Sequence, residues 1–92
     1  MAYPIKRSLA EKILIQLIEA EVESGFALVD DAKAYRSSGQ AGMSWRALQD
    51  AEGVVEDIER RLRLLDDSES QPFQPLVTEL RDEIAAAERG LS

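Results

Sequence analysis

Two residue types that often carry chemistry are missing from this 92-residue chain, and each absence narrows the reactions that it can perform. The chain contains no cysteine and no histidine. Without cysteine there is no disulfide, so packing alone must hold the fold together. Zinc, haem and thiolate-bound clusters are not expected, because cysteine and histidine are their usual ligands. Nucleophilic catalysis of the triad type is not expected either, since its usual base is histidine.

Aromatic and basic residues are scarce. Aromatics make up 5% of the chain, which predicts an aliphatic core, and 11 basic residues face 18 acidic ones, for a net charge of -7. An acidic surface repels phosphate backbones, so we expect no nucleic-acid binding. The acidity is typical of a solubilising surface. The alternative is attraction to a basic site on a partner protein, as in an acidic regulator or a nucleic-acid mimic.

No long uninterrupted apolar run is present. Glu11, Lys12 and Glu19 break the apolar stretch that follows Lys6 and Arg7, so neither a secretory signal nor a membrane span is predicted. We expect a cytoplasmic protein with no membrane partner. Phosphate-binding and calcium-binding loop motifs are also absent from the sequence. We therefore expect no cofactor and no enzymatic activity.

Apolar residues recur at steps of three and four in three segments, which predicts helices packed on helices. A broad stripe runs from Leu9 to Tyr35, and two narrower ones follow. Their members are Leu48, Ala51, Val55, Ile58, Leu62 and Leu65, and then Phe73, Val77, Leu80, Ile84, Ala87 and Leu91. The predicted fold is all-α, an up-down three-helix bundle with a long antiparallel hairpin and a shorter third helix, in a single domain over residues 1–92.

Capping signals place the helix ends. The expected helices cover about 8–37, 44–67 and 73–89, judged from apolar periodicity and from cap residues. Ser8 and Glu11 fit a capping box at the start of the first helix. Ser44 is the expected N-cap of the second, and Gly90 the expected C-cap of the third. Residues 66–71 are expected to form an acidic linker.

Acidic and basic residues recur at helical spacing in the second helix. The second helix offers three acid–base pairs at a spacing of four on a solvated face, Glu56–Arg60, Asp57–Arg61 and Glu59–Arg63.

Gly25 lies inside the first helix, where glycine costs about 1 kcal/mol relative to alanine. Either a bend in the helix or the close approach of a neighbouring helix would explain it.

The first helix carries more apolar surface than a three-helix monomer needs. Five apolar residues near its start point in several directions, Ile13, Leu14, Ile15, Leu17 and Ile18. Surplus apolar surface is best covered by a second copy of the chain. We therefore expect a homodimer.

Carboxylate pairs are the remaining route to catalysis. Three pairs share a helix face at a spacing of four, Glu19–Glu23, Glu52–Glu56 and Glu79–Glu83. Like charges so placed destabilise a helix slightly unless a cation lies between them, which is compatible with magnesium or calcium. Exposed acidic faces are the more ordinary explanation for an acidic protein.

The best candidates for partner recognition flank the first joint. Tyr35, Arg36, Trp45 and Arg46 lie on either side of a loop rich in glycine and serine, and Trp, Tyr and Arg dominate binding hot spots. The alternative is that the two aromatic side chains close the end of the hairpin. The function predicted is a non-enzymatic acidic helical interaction or scaffold module that associates with itself. An acidic regulator and a carboxylate–metal enzyme are the alternatives.

Overall fold

The computed structural model describes residues 9–90, which are helical apart from short turns. Its helices are α1 (Leu9–Ser37), α2 (Ala41–Leu62), α3 (Asp67–Ser70) and α4 (Gln74–Arg89), with a 3-10 turn at Gln71–Phe73. The all-α prediction of a long hairpin with a shorter third helix is confirmed. The proposed cap at Ser8 and the last stripe residue, Leu91, lie outside the described residues. None of the helices described combines the length and apolarity that crossing a bilayer requires.

α1 and α2 form the antiparallel hairpin, and α4 packs along both. Glu21 of α1 meets Arg61 near the end of α2, whereas Ala32 meets Ser44 near its beginning. α4 then returns in the direction of α1 and contacts both members of the hairpin. At Gly25 of α1, the Leu80 side chain of α4 occupies the space that a Cβ would take. Of the two explanations for that glycine, the structure therefore supports the approach of a neighbouring helix.

The core is a continuous apolar cluster to which every long helix contributes. Its buried members are Ile18, Val22, Val29, Ala51, Val55, Ile58, Leu62, Leu65, Phe73, Val77, Leu80 and Ile84. The second stripe is buried along its whole length, and the third from Phe73 to Ile84, with Ala87 half-buried. Burial of such side chains stabilises the fold by about 25 cal/mol per Å² of apolar area. Periodicity thus identified the buried faces of α2 and α4 correctly.

The first joint is shorter than predicted. α1 ends in a turn at Gly39, whose φ of 78° is a left-handed value that glycine adopts without strain. The amides of Gly39 and Gln40 donate to the carbonyls of Arg36 and Tyr35, at 3.0 and 2.8 Å, which is the Schellman arrangement. Because this turn satisfies the last carbonyls of α1 within a few residues, α2 begins directly afterwards, at Ala41.

Ser44 is therefore not the N-cap of the second helix, and that prediction is wrong. It lies inside α2 and is buried. Its Oγ donates a 2.7 Å hydrogen bond across the hairpin to the backbone carbonyl of Ala32. A hydroxyl can be buried here because the neighbouring helix supplies its acceptor.

The second joint also departs from the expected acidic linker over 66–71. α2 ends at Leu62, and the Asp66 side chain accepts a bond from the Glu69 amide, which caps the short helix α3. Aspartate favours this position because its carboxylate satisfies an amide left free at the helix start. Pro75 lies in the first turn of α4, where proline is tolerated. The joint is a capped helical turn that directs the chain into α4.

The charged residues of α2 pair differently from the prediction. Arg60 contacts Asp57, three residues away, at 2.9 Å. Arg61 reaches Glu21 of α1, and Glu59 reaches Arg81 of α4. Adjacent helices thus supply partners for charges that the sequence pattern assigned to a solvated face.

Candidate functional site

The four residues expected to bind a partner do not form one continuous site. Tyr35 is half-buried and packs against a small cluster of Ala32, Ala47 and Leu48 at the end of the hairpin. Trp45 leaves 45% of its surface exposed. Tyr35 thus helps to close the hairpin, as the alternative interpretation expects, whereas the indole retains surface that a partner can reach.

The two arginines lie beside different grooves. Arg46 and Tyr35 line a shallow groove of about 120 Å³ between α1 and α2. Arg36 lines another groove, next to Lys33 and Glu83, and its guanidinium occupies the space that a side chain at Gly90 would fill. A cation there is favourable, because the C-terminal end of α4 carries partial negative charge. The structure therefore places Arg36 at the end of α4, away from the groove that Arg46 and Tyr35 line.

A larger apolar surface runs along the outside of α1. Leu9, Ile13 and Leu17 are 74%, 47% and 43% exposed. These three residues begin an exposed series along α1, which we call the outer strip. Its members are Leu9, Ile13, Leu17, Ala20, Ser24 and Ala27. Successive residues of an α-helix are rotated by about 100° around its axis. The outer strip is therefore rotated by about 120°, on average, from Gly25, which lies on the buried face of α1.

The outer strip has two distinct halves and no charge. Its first half has large side chains, and its second half consists of alanine and serine. The steps between members are three or four residues, the spacing by which one helix packs along another. Asp31, at the next step of four, is the first charged residue of the series. The spacing was present in the sequence, but only exposure distinguished this second face from the core.

Carboxylates gather in a groove between α2 and α4. The groove has a volume of about 360 Å³ and is lined by Glu52, Val55, Glu56, Arg81, Asp82, Ile84, Ala85 and Glu88. A side-chain hydrogen bond with Glu88 raises the pKa of Glu52, and desolvation and the Glu88 charge act in the same direction. Packing places Glu88 beside Glu52, a neighbour that spacing along one helix does not indicate.

The other predicted carboxylate pairs have separate surroundings. Glu19 and Glu23 are exposed on α1. Glu83 of α4 lies 3.4 Å from the ammonium group of Lys33 and so forms an ion pair with α1. Within residues 9–90, no group of three or more Asp or Glu side chains is arranged to hold a metal ion.

Comparison of the chain with protein-family models, curated proteins and solved structures finds no match. The uncharged strip on α1 and the acidic groove between α2 and α4 are the two surfaces that can recognise a partner by a definable chemistry.

Proposed function

We propose that this protein is a non-enzymatic interaction or scaffold module that associates with itself through the outer strip of α1. The exposure of Leu9, Ile13 and Leu17 carries the proposal. Large apolar side chains in one row gain free energy when another surface covers them, about 25 cal/mol per Å² of area removed from water. A helix of the same spacing is the surface that fits such a row.

The charge of the chain supports one preferred mode of contact. With a net charge of -7, two copies repel each other over most of their surfaces. The outer strip itself carries no charged residue, so contact there covers no carboxylate of the strip. Self-association through an apolar row also depends little on salt, because screening acts on charges.

Sedimentation equilibrium of the purified chain, from micromolar to millimolar concentration, tests the proposal. The wild type should form a dimer. Leu17→Glu should weaken it by at least about tenfold, since a carboxylate would be buried in each half of the contact. Leu76→Glu is the matched control, because Leu76 lies on α4 and is 37% exposed.

Both variants should keep the fold of the wild type. Leu17 and Leu76 are both partly exposed, so helical content by circular dichroism should remain that of the wild type. A wild type that stays monomeric throughout the range would refute self-association. Equal weakening by Leu17→Glu and Leu76→Glu would refute the outer strip as its site.

A second function is favoured by the groove between α2 and α4. We propose that its carboxylates bind a basic segment of a partner protein, as an acidic regulator or nucleic-acid mimic does. Glu52, Glu56, Asp82 and Glu88 line one concave surface, and such a surface concentrates negative potential. Binding of a lysine- and arginine-rich peptide should weaken steeply with salt. At a fixed salt concentration, the double variant Glu52→Gln/Glu88→Gln should bind the peptide more weakly than the wild type. Glu23→Gln on α1 should bind it as the wild type does.

A further inference from the structure

We infer that the second copy lies antiparallel on α1, with the two-fold axis of the dimer at Ala20. This inference rests on the proposed self-association and adds the orientation and register of the pair. It follows from the division of the outer strip into a half with large side chains and a half with small ones. It also follows from the position of Asp31, the charged residue that continues the series.

The sizes of the side chains favour the antiparallel arrangement. About an axis at Ala20, Ile13 of one copy lies level with Ala27 of the other, and Leu17 lies within one residue of Ser24. Ile13 and Leu17 then fill the space left by small side chains, as close packing requires. In a parallel pair, Ile13 and Leu17 would meet their own copies. The small residues would then face one another across a gap that the bulky half holds open.

The position of Asp31 favours the same arrangement. A parallel pair would place Asp31 beside Asp31 of the second copy, where like charges repel. In the antiparallel pair the two Asp31 residues lie about 33 Å apart along the helices, far beyond the Debye length of about 8 Å at physiological salt. Lys12 then lies within about one turn of Asp31 of the second copy, an attractive rather than a repulsive neighbour.

The absence of cysteine from the chain makes the register directly measurable. Paired helices with axes about 9–10 Å apart and Cα radii of about 2.3 Å leave about 4.4–5.4 Å between facing Cα atoms. That distance suits a disulfide, which spans about 4.4–6.8 Å. Ala20, Ile13 and Ala27 are exposed, so cysteine can replace each without disturbing the core.

The experiment oxidises the full-length Ala20→Cys, Ile13→Cys and Ala27→Cys variants under mild conditions. Ala20→Cys alone should cross-link to a dimer, with a yield at least about tenfold above that of Ile13→Cys alone. An equal mixture of Ile13→Cys and Ala27→Cys should give the mixed dimer, which intact mass distinguishes from either homodimer.

Three other results would overturn the antiparallel arrangement. Cross-linking of Ile13→Cys alone, without a mixed dimer, would establish a parallel pair and overturn the inference. A dimer in sedimentation that none of the cysteines cross-links would also overturn it, while leaving self-association intact. A wild type that stays monomeric would overturn both the inference and the proposed function.

Discussion

Gly25 of α1 and Leu80 of α4 meet with no room for a side chain at the glycine. A Cβ placed on Gly25 would lie 2.5 Å from Cδ2 of Leu80. Leu80 is completely buried, so its side chain cannot move aside into solvent. The glycine therefore lets α4 approach the hairpin, and this contact offsets the poor helix propensity of glycine.

We predict that Gly25→Ala destabilises the protein. Alanine favours the helix by about 1 kcal/mol, but an added methyl group in a packed core costs about 1–3 kcal/mol. Because a Cβ at residue 25 would lie 2.5 Å from Leu80, we expect the packing cost to exceed the gain, with a net loss of up to about 2 kcal/mol. Urea unfolding followed by circular dichroism measures the change.

Gly53→Ala is the matched control, since Gly53 also lies inside a helix but no atom lies within 4 Å of a Cβ placed there. It should stabilise the protein by up to about 1 kcal/mol. In a background of Leu80→Ala, Gly25→Ala should lose most of its cost, because the atoms that it strikes are gone. Stabilisation by Gly25→Ala in the wild type would show that α4 packs elsewhere.

The buried face of α2 gives a second prediction. Ile58 is completely buried, and Ile58→Ala should cost about 2–5 kcal/mol. The next residue, Glu59, forms an ion pair with Arg81, and both side chains are partly exposed. Glu59→Ala should therefore cost about 0.2–1 kcal/mol. The same unfolding measurement compares the two, and equal losses would mean that the wrong face of α2 has been placed in the core.

The hydrogen bond from Ser44 to Ala32 gives a third. Ser44→Ala removes the only side-chain donor to this carbonyl among the bonds described and should cost about 1 kcal/mol, partly offset by the helix propensity of alanine. Ser37→Ala is the control, because Ser37 is exposed near the end of α1. Thermal unfolding should separate the two variants, and a Ser44→Ala protein as stable as Ser37→Ala would show that the bond contributes nothing.

The Glu52–Glu88 contact gives a prediction about pH. The pKa of Glu52 is raised in the folded state, mainly by its hydrogen bond with Glu88, so the folded state holds that proton more tightly than the unfolded chain. Its contribution to stability is therefore present at low pH. It is lost as pH rises from the ordinary carboxyl value of about 4.3 through the raised one.

Glu52→Gln removes this titration, so the difference in unfolding free energy between variant and wild type should grow with pH across that window. Both carboxyls are near the surface, so the change should stay below about 0.5 kcal/mol. Glu79→Gln on α4 is the control. Identical pH profiles for Glu52→Gln and the wild type would contradict the contact.

The interior of each long helix was predictable because helical periodicity is local. Leu48 to Leu65 and Phe73 to Ile84 are buried as the spacing indicates, since one turn of helix fixes which residues share a face. The ends of α2 were less predictable. Ser44 has the chemistry of an N-cap, but the turn at Gly39 had already satisfied the end of α1 and moved the helix start to Ala41.

The candidate surfaces were only partly predictable. The sequence indicated that α1 carries surplus apolar residues, but it did not distinguish Ile18, which is buried, from Ile13 and Leu17, which are exposed. It grouped Tyr35, Arg36, Trp45 and Arg46 by their nearness along the chain. The fold instead directs Arg36 towards Gly90 at the end of α4.

The amino-acid pattern by itself determined the helical class, the three amphipathic segments and the absence of thiol and imidazole chemistry, because each depends only on residue type and local spacing. Tertiary structure alone decided that Glu52 lies beside Glu88, that Arg61 reaches Glu21, and that one row of α1 stays uncovered. These relationships join residues distant in the chain. They depend on how the helices are rotated against one another, and close packing of whole side chains sets that rotation.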